Sequence, residues 1–116
     1  MPAVGTDIVR VARLSDLATP AFLDRSFTPA EIAASHAAPS LAGRWAAKEA
    51  VMKALGAGVG EIALTDIETL PDASGRPVVT LHGAAADRAR KAGLNHWQVS
   101  ISHDGDYAIA VALAWE

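Results

Sequence analysis

A chain of 116 residues suffices for one compact domain spanning 1–116, and folding at this length buries roughly two-thirds of the unfolded surface. With 51% hydrophobic residues, 20% charged residues and a net charge of −3, the composition excludes a disordered tail, a collagen-like repeat and a general polyanion binder, which needs clustered Lys and Arg. Cys is absent, so disulfides, thiolate metal sites and Cys nucleophiles are excluded, and any metal must use oxygen or imidazole ligands.

No apolar run approaches the roughly 20 residues needed to span a bilayer, and MPAVGTDIVRVARL lacks the basic-then-apolar layout of a secretion signal. A cytoplasmic protein without membrane or nucleic-acid partners is expected. Charge is uneven: residues 1–54 hold six bases against five acids and the remainder four against eight, nets of +1 and −4. An acidic ligand therefore belongs with the first half.

In chain order, the β-branched residues between Ala3 and Val11 predict a strand that runs into a helix from about Arg10 to Leu17, with Asp7 near the strand's end. Thr28, Pro29 and Glu31 form a capping-box pattern that starts a short helix ending near Ser35. After Pro39 and Ser40, LAGRWAAKEAVMKAL is built of strong helix formers, with Ser40 as the expected cap and Gly56 as the terminator. On that helix Trp45, Glu49, Met52 and Lys53 share one face, and Arg44, Lys48, Val51 and Leu55 the next. GAGVGEI follows as a glycine loop, able to bring backbone N–H groups to a phosphate but equally a simple helix end. Ile67–Leu70 and Pro77–Leu81 flank DASGR as a hairpin, and Ala84–Ala92 reads as a helix. Trp97–Ser102 and Tyr107–Trp115 alternate around His103-Asp104-Gly105-Asp106 as a half-buried hairpin. The fold class is α+β with an antiparallel sheet packed against helices in a single compact domain.

Spacing alone leaves the chemistry open. Asp7 is unfavourable in an apolar strand unless it caps the next helix or binds a cation. Glu49 stands four residues before Lys53, as a solvated ion pair would, yet Mg²⁺ typically takes one or two protein carboxylates, for which Asp7 and Glu49 are the candidates. Arg44, Lys48 and Lys53 are either phosphate clamps or the wet face of an amphipathic helix. His103 beside a turn is either a surface imidazole or a phosphate contact.

Three segments in order, GTDIVRVARL at 5–14, GRWAAKEAVMKALGAGVG at 43–60 and VSISHDGDYAIAVAL at 99–113, resemble the small holo-[acyl-carrier-protein] synthases, the compact class of 4′-phosphopantetheinyl transferases. FLDRSFTPAEI and GRPVV resemble that family's connecting segments, so the likeness extends over almost the whole chain. It implies a homotrimer that binds coenzyme A between neighbouring subunits and, with Mg²⁺, transfers 4′-phosphopantetheine to a serine of apo acyl carrier protein. A non-catalytic module binding coenzyme A or a carrier protein is the alternative. Carried over residue by residue, the resemblance makes Asp7 and Glu49 the Mg²⁺ carboxylates and brings Lys53 to the donor's phosphates. Arg44 and His103 fall near coenzyme A phosphates, and Asp7, Glu49, Lys53 and His103 form the catalytic set. Glu49, a metal-held water and His103 remain open as the base. Arg13 and Arg25, with Leu17 and Phe22 beside them, match positions that face the acidic helix of the carrier. The chain departs from the pattern at Arg10, where the family often has an acid, at Thr6, commonly aliphatic, and in a short stretch between Phe27 and Ser40, which leaves carrier preference open.

Overall fold

A computed structural model describes residues 1–35, 37–58 and 60–116. His36 and Val59, the latter within the glycine loop, lie outside the described residues. The order of elements is β1 (Ala3–Arg10), α1 (Val11–Leu17), α2 (Pro20–Ser26), α3 (Pro29–Ala34), α4 (Ala38–Leu55), a single 3₁₀ turn (Leu64–Asp66), β2 (Ile67–Pro71), β3 (Pro77–Leu81), α5 (Gly83–Lys91), β4 (His96–Asp104) and β5 (Tyr107–Trp115). β1, β5 and β4 form one antiparallel sheet with β5 central, and β2 and β3 form a separate hairpin. The α+β architecture expected from the sequence is the one observed.

The strict alternation of β5 explains how the long helix seats on the sheet. Ala108, Ala110, Ala112 and Ala114 are buried on one face, and Ala42, Ala46, Ala47 and Ala50 of α4 are buried as well, so α4 packs across β1 and β5. Small side chains let the helix approach closely, and Gly5 of β1 marks the tightest point. A Cβ at Gly5 would lie 1.9 Å from the Ala50 carbonyl oxygen, a backbone atom that cannot move aside alone. Gly5→Ala is therefore expected to cost about 3 kcal/mol, the upper end of the overpacking range, read as a lowered urea midpoint with an unchanged slope.

The opposite face of the sheet is apolar and open. Register pairs Val4 with Leu113, Thr6 with Val111, Ile8 with Ile109 and Arg10 with Tyr107. Val4 and Ile8 are 66% and 61% exposed, and Tyr107, Ile109, Val111 and Leu113 between 41% and 43%. The outward residues of β4 beside them are polar: Gln98, Ser100 and Ser102.

Three features differ from the sequence reading. Helix α2 was not expected, although Thr19 accepts a bond from the Phe22 N–H and Pro20 occupies the first turn. Helix α4 begins at Ala38, so Ser40 lies inside the first turn and Ala37 is the capping residue. The β4–β5 connection is also shorter than read, because His103 and Asp104 belong to β4. Elsewhere the expected signals operate: Thr28 and Glu31 close a reciprocal capping box, and α4 ends at Gly56 with φ +67°. Arg88 of α5 caps that end, donating to the carbonyls of Leu55 and Gly56, and it pairs with Glu61 beyond the loop.

Lys48 is neither a phosphate clamp nor part of a wet face. Its side chain and that of Glu31 are both 0% exposed and form an ion pair with Nζ 2.6 Å from Oε1. Nζ also donates to the carbonyls of Leu64 and Ile67, and the Glu31 carboxylate accepts from the N–H groups of Thr28 and Thr69. A buried pair offsets its desolvation only when such further bonds are made. This one ties α3, α4 and β2 together. It also sets the rotational phase of α4: the next residue, Glu49, emerges about 100° around the helix.

Candidate active site

In β1 the residues Ala3, Gly5, Asp7 and Val9 alternate toward α4. The close contact at Gly5 therefore brings Asp7, one pleat further on, to the helix face that carries Glu49 and Lys53. Lys53 Nζ donates to the Thr6 carbonyl at 2.9 Å and lies 3.3 Å from Asp7 Oδ1. Its side chain is 57% exposed, so this contact is loose and the ammonium is free to turn toward a ligand. Burial, and then the Asp7 carboxylate, push the Glu49 carboxyl up, while Lys53 and Arg13 pull it down by less. A carboxylate whose ionisation a neighbouring carboxylate disfavours suits a hard divalent cation. Among the described residues no group of three or more His, Cys, Asp and Glu is placed to hold a metal. Asp7 and Glu49 together offer two carboxylates, the number Mg²⁺ typically takes from a protein.

Arg44 and His103 do not join this cluster. They line a separate cavity of about 220 Å³ with Ser40, Gly43, Thr69, Pro71 and Ile101. Gly43 is what lets α4 pass so near β4, since a Cβ there would lie 2.9 Å from Ile101 Cγ2 and 3.1 Å from His103 Nε2. His103 Nε2 lies 2.8 Å from the Pro39 carbonyl, which can only accept, so Nε2 carries the proton and Nδ1 remains for another partner. Arg44 is 9% exposed and burial lowers its pKa, with the charge of Glu31 opposing. Among the described residues no carboxylate pairs with it directly; its fixed partners are neutral oxygens. A buried cation that no carboxylate touches suits an anionic ligand.

Arg44 and Lys53 stand nine residues apart on α4, which places them about 180° apart around the helix axis. The Asp7–Glu49–Lys53 group and the Arg44–His103 cavity therefore lie on opposite sides of α4. Near the first, Arg13 and Leu17 share a face of α1, and Phe22 and Arg25 share a face of α2. Both arginines are exposed. The Phe22 ring packs on Trp45 with centroids 5.4 Å apart, and Trp45 precedes Glu49 by one turn of α4, while Arg13 on α1 is near enough to act on the Glu49 carboxyl.

A carboxylate pair beside an exposed lysine, and a separate arginine–histidine cavity on a small α+β scaffold, suit a phosphate-bearing ligand. Residues 3–112 match the model of the 4′-phosphopantetheinyl transferase superfamily, and the chain belongs to that family. The holo-[acyl-carrier-protein] synthase of Moorella thermoacetica is 49% identical over 119 residues, covering 97% of this chain and 93% of the relative. Among solved structures, the Helicobacter pylori holo-[acyl-carrier-protein] synthase in complex with coenzyme A is 33% identical with a TM-score of 0.86, covering 97% of this chain and 99% of that one. The Neisseria meningitidis synthase is 31% identical with a TM-score of 0.88 and 98% coverage of both chains.

Proposed function

We propose that the chain, as one transferase domain over 1–116 working in the cytoplasm, transfers 4′-phosphopantetheine from coenzyme A to a serine of an apo acyl carrier protein. The serine oxygen attacks the β-phosphorus of the coenzyme A pyrophosphate, the bond to the bridging oxygen breaks, and 3′,5′-ADP leaves. The observation that carries this reading is the Asp7, Glu49 and Lys53 cluster, which the charge of exposed Arg13 reaches.

Asp7 and Glu49 would hold Mg²⁺, which when bound supplies charge neutralisation to the pyrophosphate. Lys53 turns from Asp7 to the phosphates and stabilises charge on the leaving side. Glu49 and His103 are the candidates for accepting the serine's proton; the raised proton affinity that burial and Asp7 give Glu49 belongs to the cation-free chain, and holding a dication would lower it. His103 is less suited within one chain, since it lies in the cavity of Arg44, apart from Asp7 and Glu49. Arg13 and Arg25 attract the carrier's acidic helix, while Leu17, 38% exposed, and the edge of Phe22 offer it apolar contact.

No helix among the described residues is long and apolar enough to cross a membrane, so the open apolar face of the β1–β5–β4 sheet needs another cover. Self-association into a homotrimer covers it and lets the Arg44–His103 half-site of one copy meet the Asp7–Glu49–Lys53 half-site of the next around one coenzyme A. Opposed half-sites on α4 support this arrangement. The test mixes two variants, Glu49→Gln and Arg44→Ala, each with low activity at limiting coenzyme A, under conditions that exchange subunits. With random exchange of equal amounts, about a quarter of shared sites regain both native residues, so transfer to the carrier recovers to about that fraction of wild type. Recovery absent from co-assembled mixtures would contradict the shared site.

A further inference from the structure

Arg44 is fixed before any ligand arrives. Its Nε donates to the Thr69 carbonyl at 3.0 Å, and its Nη1 donates to Ser40 Oγ at 2.6 Å and to Ser35 Oγ at 3.0 Å. Ser35 Oγ itself donates to the Glu31 carbonyl at 2.7 Å, so its proton is committed and its lone pairs face the guanidinium. Nη2 is left without a partner among the described residues, on a side chain that lines the cavity shared with His103.

We propose that Ser35 and Ser40 are positioning residues that hold Arg44 as a pre-set anion receptor, Ser35 acting wholly through Arg44. The distinction between them is geometric. Ser40 lines the cavity and is able to meet a ligand as well, whereas Ser35 does not line it. A free arginine side chain has many rotamers to lose on gripping an anion. With three of its five N–H groups already engaged by oxygens at the end of α3, on α4 and on β2, the planar fork is locked, and the remaining two are set for the incoming charge. The serines are neutral, so they orient the cation without cancelling its charge. This extends the reading of the cavity as part of the coenzyme A site and rests on it.

The test is a double-mutant cycle on coenzyme A binding, measured by titration calorimetry with Mg²⁺ on the assembled protein, using wild type, Ser35→Ala, Arg44→Ala and the double variant. Loss of one hydrogen bond to a charged group predicts that Ser35→Ala weakens binding about tenfold, and Ser35→Thr, which keeps the hydroxyl, restores it. In the Arg44→Ala background the same serine change has no further effect. Turnover at saturating coenzyme A stays within about twofold, because only binding is altered. Equal affinity of Ser35→Ala and wild type overturns the proposal, as does an equal loss in both backgrounds, which would mark a general structural role. Failure of the wild type to bind coenzyme A would overturn the underlying site reading, and the proposal with it, and is distinguishable because no variant enters that comparison.

Discussion

Glu49→Gln is expected to lower phosphopantetheine transfer by at least about a hundredfold while raising the thermal stability of the ligand-free protein at neutral pH. The two effects share one cause. Glutamine keeps the shape and removes the charge that Asp7 and burial disfavour, so the folded chain is relieved of a crowded carboxylate, and the cation and proton chemistry lose one of their two acidic groups. The sign with pH follows from linkage. The folded-state pKa of Glu49 lies above its unfolded value, so the native state binds more protons and its stability falls as pH rises from the unfolded value through the folded one. Below the ordinary glutamate value, about 4.3, both states hold the proton and glutamine gains nothing. The melting-temperature advantage of Glu49→Gln should therefore be present at neutral pH and vanish in acid. An advantage that persists unchanged in acid would mean that the charge is not its source.

Lys48→Met is expected to be the most destabilising single change among those considered, by about 3–5 kcal/mol, a large share of the 5–15 kcal/mol typical of a whole domain. Methionine fills much of the volume but leaves the Glu31 carboxylate, fully buried, facing no cation, and deprives the Leu64 and Ile67 carbonyls of their charged donor. Adding Glu31→Gln should recover about 1 kcal/mol or more, because the two residues are directly coupled. Urea unfolding of the two singles and the double measures this. Strict additivity would contradict the buried pair.

The parts of the fold legible in sequence were those with local causes. The alternation of VSISHD and YAIAVALAW predicts a hairpin without tertiary information, and Thr28-Pro29-x-Glu31 announces a helix start that the structure realises bond for bond. The same kind of signal, Thr19-Pro20, stood before α2 and went unread because the segment after it has no apolar period long enough to mark a helix. Ser40 was misplaced because Pro39 also fits the first turn of a helix that begins one residue earlier. Lys48 was beyond local reasoning altogether. Its partner lies 17 residues away, and α4 is buried on so many sides that no polar stripe distinguishes a wet cation from an enclosed one. For the candidate site, the motif likeness nominated the residues, while the separation of Arg44 and His103 from Asp7, Glu49 and Lys53 needed the packing of α4 against its neighbours. The restraint of Arg44 by Ser35 was likewise invisible, because spacing carries no record of where a serine hydroxyl points.

The proposed transfer is open to intact-mass spectrometry of an apo acyl carrier protein incubated with the chain, coenzyme A and Mg²⁺, beside parallel samples with EDTA or with Glu49→Gln. The carrier should gain the mass of one phosphopantetheine with the wild-type chain, and both controls should leave it at the apo mass. A carrier that stays unmodified while the chain binds coenzyme A, or one modified equally well by Glu49→Gln, would contradict this reading.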